Sequence, residues 1–183
     1  MRGVTTMLQR LMHLARDKTG VAMIEFGLVL PLMATMFCGA WEASQAVICY
    51  MKMGNAADTV VDLATQQKAI HSSNVDDFYT SAQLVLTPNN AAGLGLAIAS
   101  VTYDPTTGAA SVAWQQTRGG ATAMSAATIA SLSAGLGNPG DSVIIAQLSY
   151  TYTSSLDYVL PKLINLSASA MQRPRLVKSI PYS

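Results

Sequence analysis

The sequence predicts an α+β protein in which one N-terminal transmembrane helix extends into a small domain with an antiparallel sheet. Residues 21–40 form an apolar run in which Glu25 is the only charged side chain. Twenty residues of α-helix span about 30 Å, which is the thickness of the hydrocarbon core of a bilayer. From residue 99 onward, apolar side chains recur at every second position, as is typical of half-buried strands.

The chain divides into a basic leader at residues 1–20, a transmembrane helix with its juxtamembrane extension at residues 21–54, and an exported α+β domain at residues 55–183. The leader contains one acid, Asp17, and four basic side chains: Arg2, Arg10, Arg16 and Lys18. Basic flanks stay in the cytoplasm, so we expect the N-terminus inside and the chain from Glu42 onward exported.

A cleaved secretory signal is the alternative for the apolar run, with the small residues 38–40 as its cleavage site. The run is longer than the 7–15 apolar residues that are usual in such signals. It also contains Glu25 and Pro31, which are unusual there. These features favour an anchor that is retained.

Glu25 requires an explanation, because a carboxylate at the centre of a membrane span costs about 2.5–3.5 kcal/mol and less toward an end. Acids in spans are therefore candidate functional residues. The alternative is that Glu25 reaches back to the cytoplasmic face. Glu25 is the fifth residue after Gly20, which lies where the basic leader meets the apolar run.

Residues 19–33, TGVAMIEFGLVLPLM, resemble the processing site of type IV-related prepilins and are especially similar to the TadE-like family of tight-adherence systems. The resemblance implies that a prepilin peptidase cleaves after Gly20 and makes Val21 the new N-terminus. Glu25 is then the natural partner of the new amine, one helical turn away, and Phe26 completes the motif. Weaker matches are found at residues 54–67 and 167–175.

The same resemblance implies a structural minor pilin or pseudopilin, since major pilins of this system are shorter and more often carry Tyr at the position of Phe26. It implies processing, pilus biogenesis and surface adhesion as its role. The expected partners are the peptidase, other minor and major pilins, an inner-membrane platform and membrane lipid. The expected location is the bacterial inner membrane, with a single pass, a periplasmic C-terminal domain and incorporation into an extracellular pilus. Pro31 and Gly39 allow the membrane helix to bend.

Helical spacing of apolar side chains predicts two helices directly after the span. The first, at residues 55–70, continues the membrane helix and is loosened at Gly54. The second is capped by Asn74, carries Asp76 and Asp77 in its first turn, and stops before Pro88. Residues 89–95 are predicted to be a loop.

Period-two spacing then predicts strands at residues 99–103, 111–115 and 143–152, and a fourth strand through Leu166, Ala168 and Ala170. The first two are joined by a turn at residues 104–108, and the second places Val112 and Trp114 on one face. A short helix is expected at residues 125–134.

Little in the sequence points to catalysis or to a ligand, so we predict no enzyme, cofactor, metal or small-molecule substrate. His13 lies in the leader, and His71 has no nearby partner for a triad or a zinc site. Residues 135–140, GLGNPG, fit the spacing of a dinucleotide motif, but they follow a helix and contain Pro139, so we interpret them as a loop. The net charge of +1 gives no argument for nucleic acid.

Cys38 and Cys49 are about 16 Å apart along one helix and cannot form a disulfide with each other. Cys49 is expected either as an unpaired thiol or as a cross-link between subunits. Arg173, Arg175 and Lys178 are expected in a solvated tail, with contact to lipid or a partner as the alternative.

Two other functions remain open at this point. One is a membrane-anchored periplasmic binding or adhesion module that is not assembled into a filament, for which an exposed Trp114 would be the residue to examine. The other is an exported hydrolase, for which the sequence offers no nucleophile and base.

Overall fold

The computed structural model describes residues 19–154 and 163–183. The leader interpretation of residues 1–20, with its four basic side chains and His13, falls almost entirely outside the described residues. The predicted α+β class is confirmed, because a long apolar helix is followed by a small domain with an antiparallel sheet. The elements are, in order, α1 (Thr19–Thr65), α2 (Ser72–Leu86), a 3-10 helix (Ala91–Gly93), β1 (Leu94–Tyr103), β2 (Ala110–Arg118), α3 (Ala126–Ser133), β3 (Ser142–Thr153) and β4 (Leu163–Gln172).

The 47 residues of α1 form one helix about 70 Å long. The predicted loosening at Gly54 is wrong, because the helix continues through this residue while the neighbouring Met53 and Ala56 are fully buried. The predicted end at residue 70 is also wrong. The helix ends at Thr65, whose carbonyl accepts a hydrogen bond from the backbone N–H of Arg175 (3.0 Å) instead of from a further helical amide.

The start of α2 differs from the prediction by three residues. Asn74 is not the N-cap; it lies inside the first turn, where its Oδ1 accepts a hydrogen bond from the backbone N–H of the capping residue His71 (2.9 Å). Asp76 and Asp77 consequently fall beyond the first turn. Asp76 forms an ion pair with Arg118 of β2, and this ion pair connects α2 to the sheet.

The connection between α2 and the sheet is shorter than predicted. α2 ends before Pro88, as expected. Residues 89–95 are only partly a loop, because a 3-10 turn follows and β1 already begins at Leu94. Leu94 pairs with Tyr150, and Gly95 pairs with Ser149, so these residues extend β1 along β3.

Within the described residues, one antiparallel sheet contains four strands in the order β2-β1-β3-β4. All four predicted strands lie within observed ones. The alternation predicted for β3 is confirmed, since Leu148 packs in the cluster that includes α1 and Ile145 packs in the cluster on the opposite face. The predicted helix at residues 125–134 is α3 with its flanking residues, and the Oγ of Ser125 caps it by accepting from the N–H of Thr128 (3.1 Å).

A β-bulge in β2 overturns the prediction that Val112 and Trp114 share a face. Trp114 lies opposite Ser100, whereas Val112 lies opposite Val101, so the pairing register shifts between these positions. An extra residue in one strand reverses the face on which the following side chains lie. Trp114 therefore packs on the α1 side of the sheet, while Val112 lies on the other.

The main core lies between α1 and the sheet. α1 packs against β3 and β4 on one side and against α2 on another. The fully buried side chains of α1 include Cys49, Met53, Val60 and Ala64. This core therefore includes residues on the N-terminal side of the predicted boundary at residue 55.

The C-terminal segment is not a solvated tail. Tyr182 forms a parallel bridge with Ile70, and the backbone of Arg175 is bonded to α1. The guanidinium of Arg175 pairs with Asp62, and that of Arg173 pairs with Asp141 (3.4 Å). The prediction failed because these partners are far from the C-terminus in the sequence.

A smaller cluster on the opposite face of the sheet explains the glycine-rich segment at residues 135–140. These residues form the loop after α3, as predicted. A Cβ on Gly137 would lie 2.1 Å from the ring of Tyr103, so only glycine allows the loop to approach this ring. The hydroxyl of Tyr103 donates to the carbonyl of Ser133, which holds the end of α3 against the sheet.

Truncation within α1 provides a test of where the core begins. We expect a fragment of residues 41–183 to fold, and one of residues 55–183 to be less stable by about 3 kcal/mol or more, because the second lacks the fully buried Cys49 and Met53. Urea unfolding followed by circular dichroism measures the difference. Equal stability of the two fragments would contradict the assignment of these side chains to the core.

Candidate functional site

The part of α1 that precedes the domain is apolar and exposed. Every described side chain from Gly20 to Phe37 is exposed. The most apolar window of 18 residues has a mean hydropathy of 2.0, and none of it is buried. Soluble proteins rarely expose so large an apolar surface, and α1 is long enough to cross a bilayer. The helix is therefore consistent with a single-pass membrane anchor.

The predicted processing and assembly residues all lie on this exposed surface. A Cβ added to Gly20 would meet no atom within 4 Å, so this glycine is not required by packing. Val21 and Glu25 are four residues apart in one helix, which places their side chains on the same face. Phe26 is 62% exposed beside them. An amine freed at Val21 would therefore come within reach of a Glu25 carboxylate, in the same chain or in a neighbouring one.

Pro31 lies inside α1, and the helix continues on both sides of it. Proline lacks the amide hydrogen that would bond to the carbonyl of residue 27, so the helix has one hydrogen bond fewer here. The bend that we expect at this position stays a prediction.

A buried polar pair joins α1 to the domain just after the apolar run. Glu42 is 1% exposed, and its Oε1 accepts a hydrogen bond from the hydroxyl of Tyr152 (3.1 Å). Tyr152 lies near the end of β3. The sequence predicts Glu42 only as the first exported residue. The available signal was its spacing from Cys49, Met53 and Val60, since these residues lie on one helical face.

The environment of this pair favours the protonated form of Tyr152. Burial is the largest cause, followed by the hydrogen bond to Glu42 and the charge of its carboxylate, and together they raise the pKa of Tyr152 from 10.0 to about 12. Ionised Tyr152 would place a second negative charge beside Glu42. Protonated Tyr152 therefore helps to hold the base of the sheet against α1.

An open groove of about 730 Å³ lies beside this pair, where α1 meets the base of the sheet. Trp41 and Gln45 line it from α1, Asn89 and Asn90 from the loop after α2, and Thr151 from β3. Among the described residues, those that line the groove carry no charge. It therefore offers aromatic surface and neutral hydrogen-bonding groups.

Cys49 is fully buried in the main core, about two turns beyond Glu42. Burial raises the pKa of its thiol, and the charge of Lys52 offsets only part of this effect. A buried protonated thiol is a poor nucleophile. The structure therefore favours the unpaired thiol over a cross-link between subunits.

Trp114 is half-buried rather than displayed on the surface. Its Nε1–H donates to the carbonyl of Ile180 (2.7 Å), and its ring centroid lies 5.7 Å from that of Tyr182. These contacts fix the C-terminal segment to the sheet. His71 is exposed, as expected, and its Nδ1 lies 2.9 Å from the carbonyl oxygen of Ser183.

In the part of the chain that the structure describes, no three His, Cys, Asp or Glu side chains are grouped so that they could hold a metal ion. The absence of enzymatic activity and of a cofactor stays a prediction.

The Tyr152 hydroxyl can be tested by removing it. We expect Tyr152→Phe to lower the free energy of unfolding by about 1–3 kcal/mol, because the buried carboxylate of Glu42 loses a donor. The contribution of this hydroxyl is fully present below pH 10 and is lost as the pH rises toward about 12, since folding raises its pKa. Urea unfolding of the detergent-solubilised chain at several pH values measures both effects.

Tyr150→Phe is the matched control, because the hydroxyl of Tyr150 donates to a neutral acceptor, the carbonyl of Asn90 (2.9 Å). We expect a smaller loss, of about 1 kcal/mol. If Tyr152→Phe costs no more than this control, the carboxylate does not depend on Tyr152.

Comparison with protein families identifies a match that falls on α1. Residues 20–62 match the model of the family described as TadE-like protein. Comparisons with curated proteins and with solved structures find no match. The matched segment begins at Gly20 and includes both the exposed apolar part of α1 and most of the part that packs in the core. The predicted resemblance is confirmed: over residues 20–62 the chain is similar to the TadE-like family.

Proposed function

We propose that the chain is a structural minor pilin or pseudopilin of a tight-adherence pilus system, anchored in the bacterial inner membrane with its domain in the periplasm. The observation that carries this proposal is the coincidence of the family match with the exposed apolar helix. The match covers residues 20–62, and the exposed apolar part of α1 lies within it, directly after the basic residues of the leader. The leader places the N-terminus in the cytoplasm by the positive-inside rule.

In this function a prepilin peptidase removes the leader after Gly20. The bond that it would cut follows Gly20, where an added Cβ meets no atom of the described residues within 4 Å. The product carries a positively charged amine at Val21. In the low dielectric of a membrane or of a helix bundle, Glu25 and this amine each cost several kcal/mol when unpaired, so pairing them offsets both costs.

Assembly then moves the subunit from lipid into contact with other helices. The exposed side chains of α1 before Glu42 are almost all apolar, so they suit either environment. The platform and the other pilins are the partners that this step requires. The subunit would contribute to pilus biogenesis and, through the filament, to surface adhesion.

The alternative of an anchored adhesion module has less support. That alternative required Trp114 to be an exposed aromatic side chain. The indole N–H of Trp114 is instead hydrogen-bonded to the carbonyl of Ile180, and its ring packs beside that of Tyr182. The exported hydrolase has no observation in its favour.

Processing is tested by Gly20→Val in the native host. We expect the variant to accumulate as a precursor about 20 residues longer than the processed chain, because the peptidase must accommodate the backbone at this position. The substitution creates no clash within the fold, since a Cβ at Gly20 meets nothing within 4 Å. Gly27→Val is the matched control, because Gly27 is equally free of neighbours and should be processed normally. Normal processing of the Gly20 variant would exclude cleavage at this site.

Glu25→Ala tests the later step. We expect the variant to be cleaved and to remain in the membrane, but to lose assembly, because the amine of Val21 no longer has a carboxylate partner. Glu25→Gln separates charge from size and should fail in the same way. Pilus-associated and membrane fractions, compared by immunoblot, report the outcome. Normal piliation with either variant would contradict the proposed pairing.

A further inference from the structure

The apolar surface of α1 continues past the predicted end of the span at residue 40. Five large side chains on the following turns are between 45% and 63% exposed. Four of them form what we call the outer stripe, Trp41, Val47, Ile48 and Met51, and the fifth, Tyr50, lies beside it on the helix. Ser44 lies among them. Its hydroxyl donates a hydrogen bond to the carbonyl of Ala40 (2.7 Å), so this polar group already has an acceptor within the helix. The outer stripe therefore presents a largely apolar surface.

The outer stripe lies opposite the domain. Glu42, Cys49 and Met53 point into the core from the other side of the same turns. The stripe is continuous with the exposed surface of the predicted span, since Phe37, Trp41, Ser44, Ile48 and Met51 follow one another at spacings of three or four residues. The next residues on this line are Asn55 and Asp58, which are exposed and polar.

We propose that the outer stripe lies against lipid on the periplasmic side of the membrane, from Trp41 in the outer part of the hydrocarbon core to Met51 in the headgroup layer, with α1 tilted so that the domain rests on its upper side. The proposal depends on α1 being a membrane anchor, and it is independent of leader cleavage and of assembly. Its occupant is lipid, because the stripe continues the surface that faces lipid in the span.

Helix length supports the tilt. Residues 21–51 extend about 45 Å along the axis. The hydrocarbon core and one headgroup layer together measure about 37 Å. A perpendicular helix would therefore place Met51 about 8 Å beyond the headgroup layer. A tilt of about 35° brings Met51 within it, and membrane helices are tilted by up to about 40°.

The distribution of polar groups agrees with one direction of tilt. One side of a tilted helix faces the membrane. The outer stripe is the apolar side of the turns between Trp41 and Met51, so the tilt that we propose turns this side toward the membrane. Lys52 is turned toward α2, where its Nζ donates to the carbonyl of Thr87 (2.6 Å). The indole of Trp41 combines apolar surface with one N–H donor, which suits the interface between hydrocarbon and water.

The test uses nitroxide labels on the full chain in vesicles of phosphatidylethanolamine and phosphatidylglycerol. Labels are placed by Ile48→Cys and Met51→Cys in a background with Cys38→Ser and Cys49→Ala. Collision with oxygen, which concentrates in lipid, is compared with collision with a water-soluble nickel complex. We expect the ratio of oxygen to nickel accessibility at both positions to be several-fold higher than at Asp58→Cys, which lies on the same side of the helix.

Leu32→Cys, in the middle of the predicted span, is the control for the anchor. High oxygen accessibility at residue 32 together with nickel accessibility at residues 48 and 51 would overturn the tilt and leave the anchor intact. Protection of residues 48 and 51 from both reagents would mean that protein covers the stripe, and it would also overturn the proposal. Low oxygen accessibility at residue 32 would remove the anchor itself, and the proposed function with it.

Cys49 is fully buried, so its replacement could unfold the domain. A second measurement therefore keeps both cysteines and combines Trp41→Phe with Met51→Trp. Lipids with brominated acyl chains should quench the new indole more strongly than they quench Trp114, which packs beside the C-terminal segment. Equal quenching of the two, or quenching of residue 51 by aqueous iodide alone, would contradict a position at the membrane surface.

Discussion

The packing of one face of α1 against the sheet, from Glu42 to Ala64, is the contact on which the rest of the structure depends. It fixes β3 and β4 to the helix, and α2 packs on the same helix from another side. The C-terminal segment in turn closes over the end of α1 through the bond from Arg175 to Thr65. Because the helix is continuous, the orientation of the membrane anchor sets the orientation of the whole domain.

The junction between the membrane anchor and the domain lies near Glu42, and the orientation of the domain therefore depends on it. A carboxylate so close to the apolar run is stable only if it is bonded within the protein, and the hydroxyl of Tyr152 meets that requirement. The pair also marks the point at which the environment of α1 changes. Up to Phe37 every side is exposed, and from Glu42 onward one side is core and the other carries the rest of the outer stripe. A subunit that leaves lipid for a filament would keep this junction, since the pair is buried within one chain.

Sequence patterns predicted the elements whose signal is local. The span follows from one apolar run, and β3 follows from strict alternation between Ile144 and Tyr152. The failures concern contacts between distant residues. The bulge in β2 depends on pairing with β1, the end of α1 depends on Arg175, and Glu42 meets a partner 110 residues later. At the candidate site, the sequence motif points to Gly20 and Glu25, and both lie in α1. No local sequence pattern points to Tyr152.

In the working protein we expect α1 to begin at Val21 and to be retained as the anchor. The most direct measurement is the intact mass of the chain purified from the membranes of its native host. We expect a chain that starts at Val21 and includes the whole apolar run. A chain that starts at Met1 would contradict processing after Gly20, and one that starts at Trp41 would show that the run is a cleaved signal instead of an anchor.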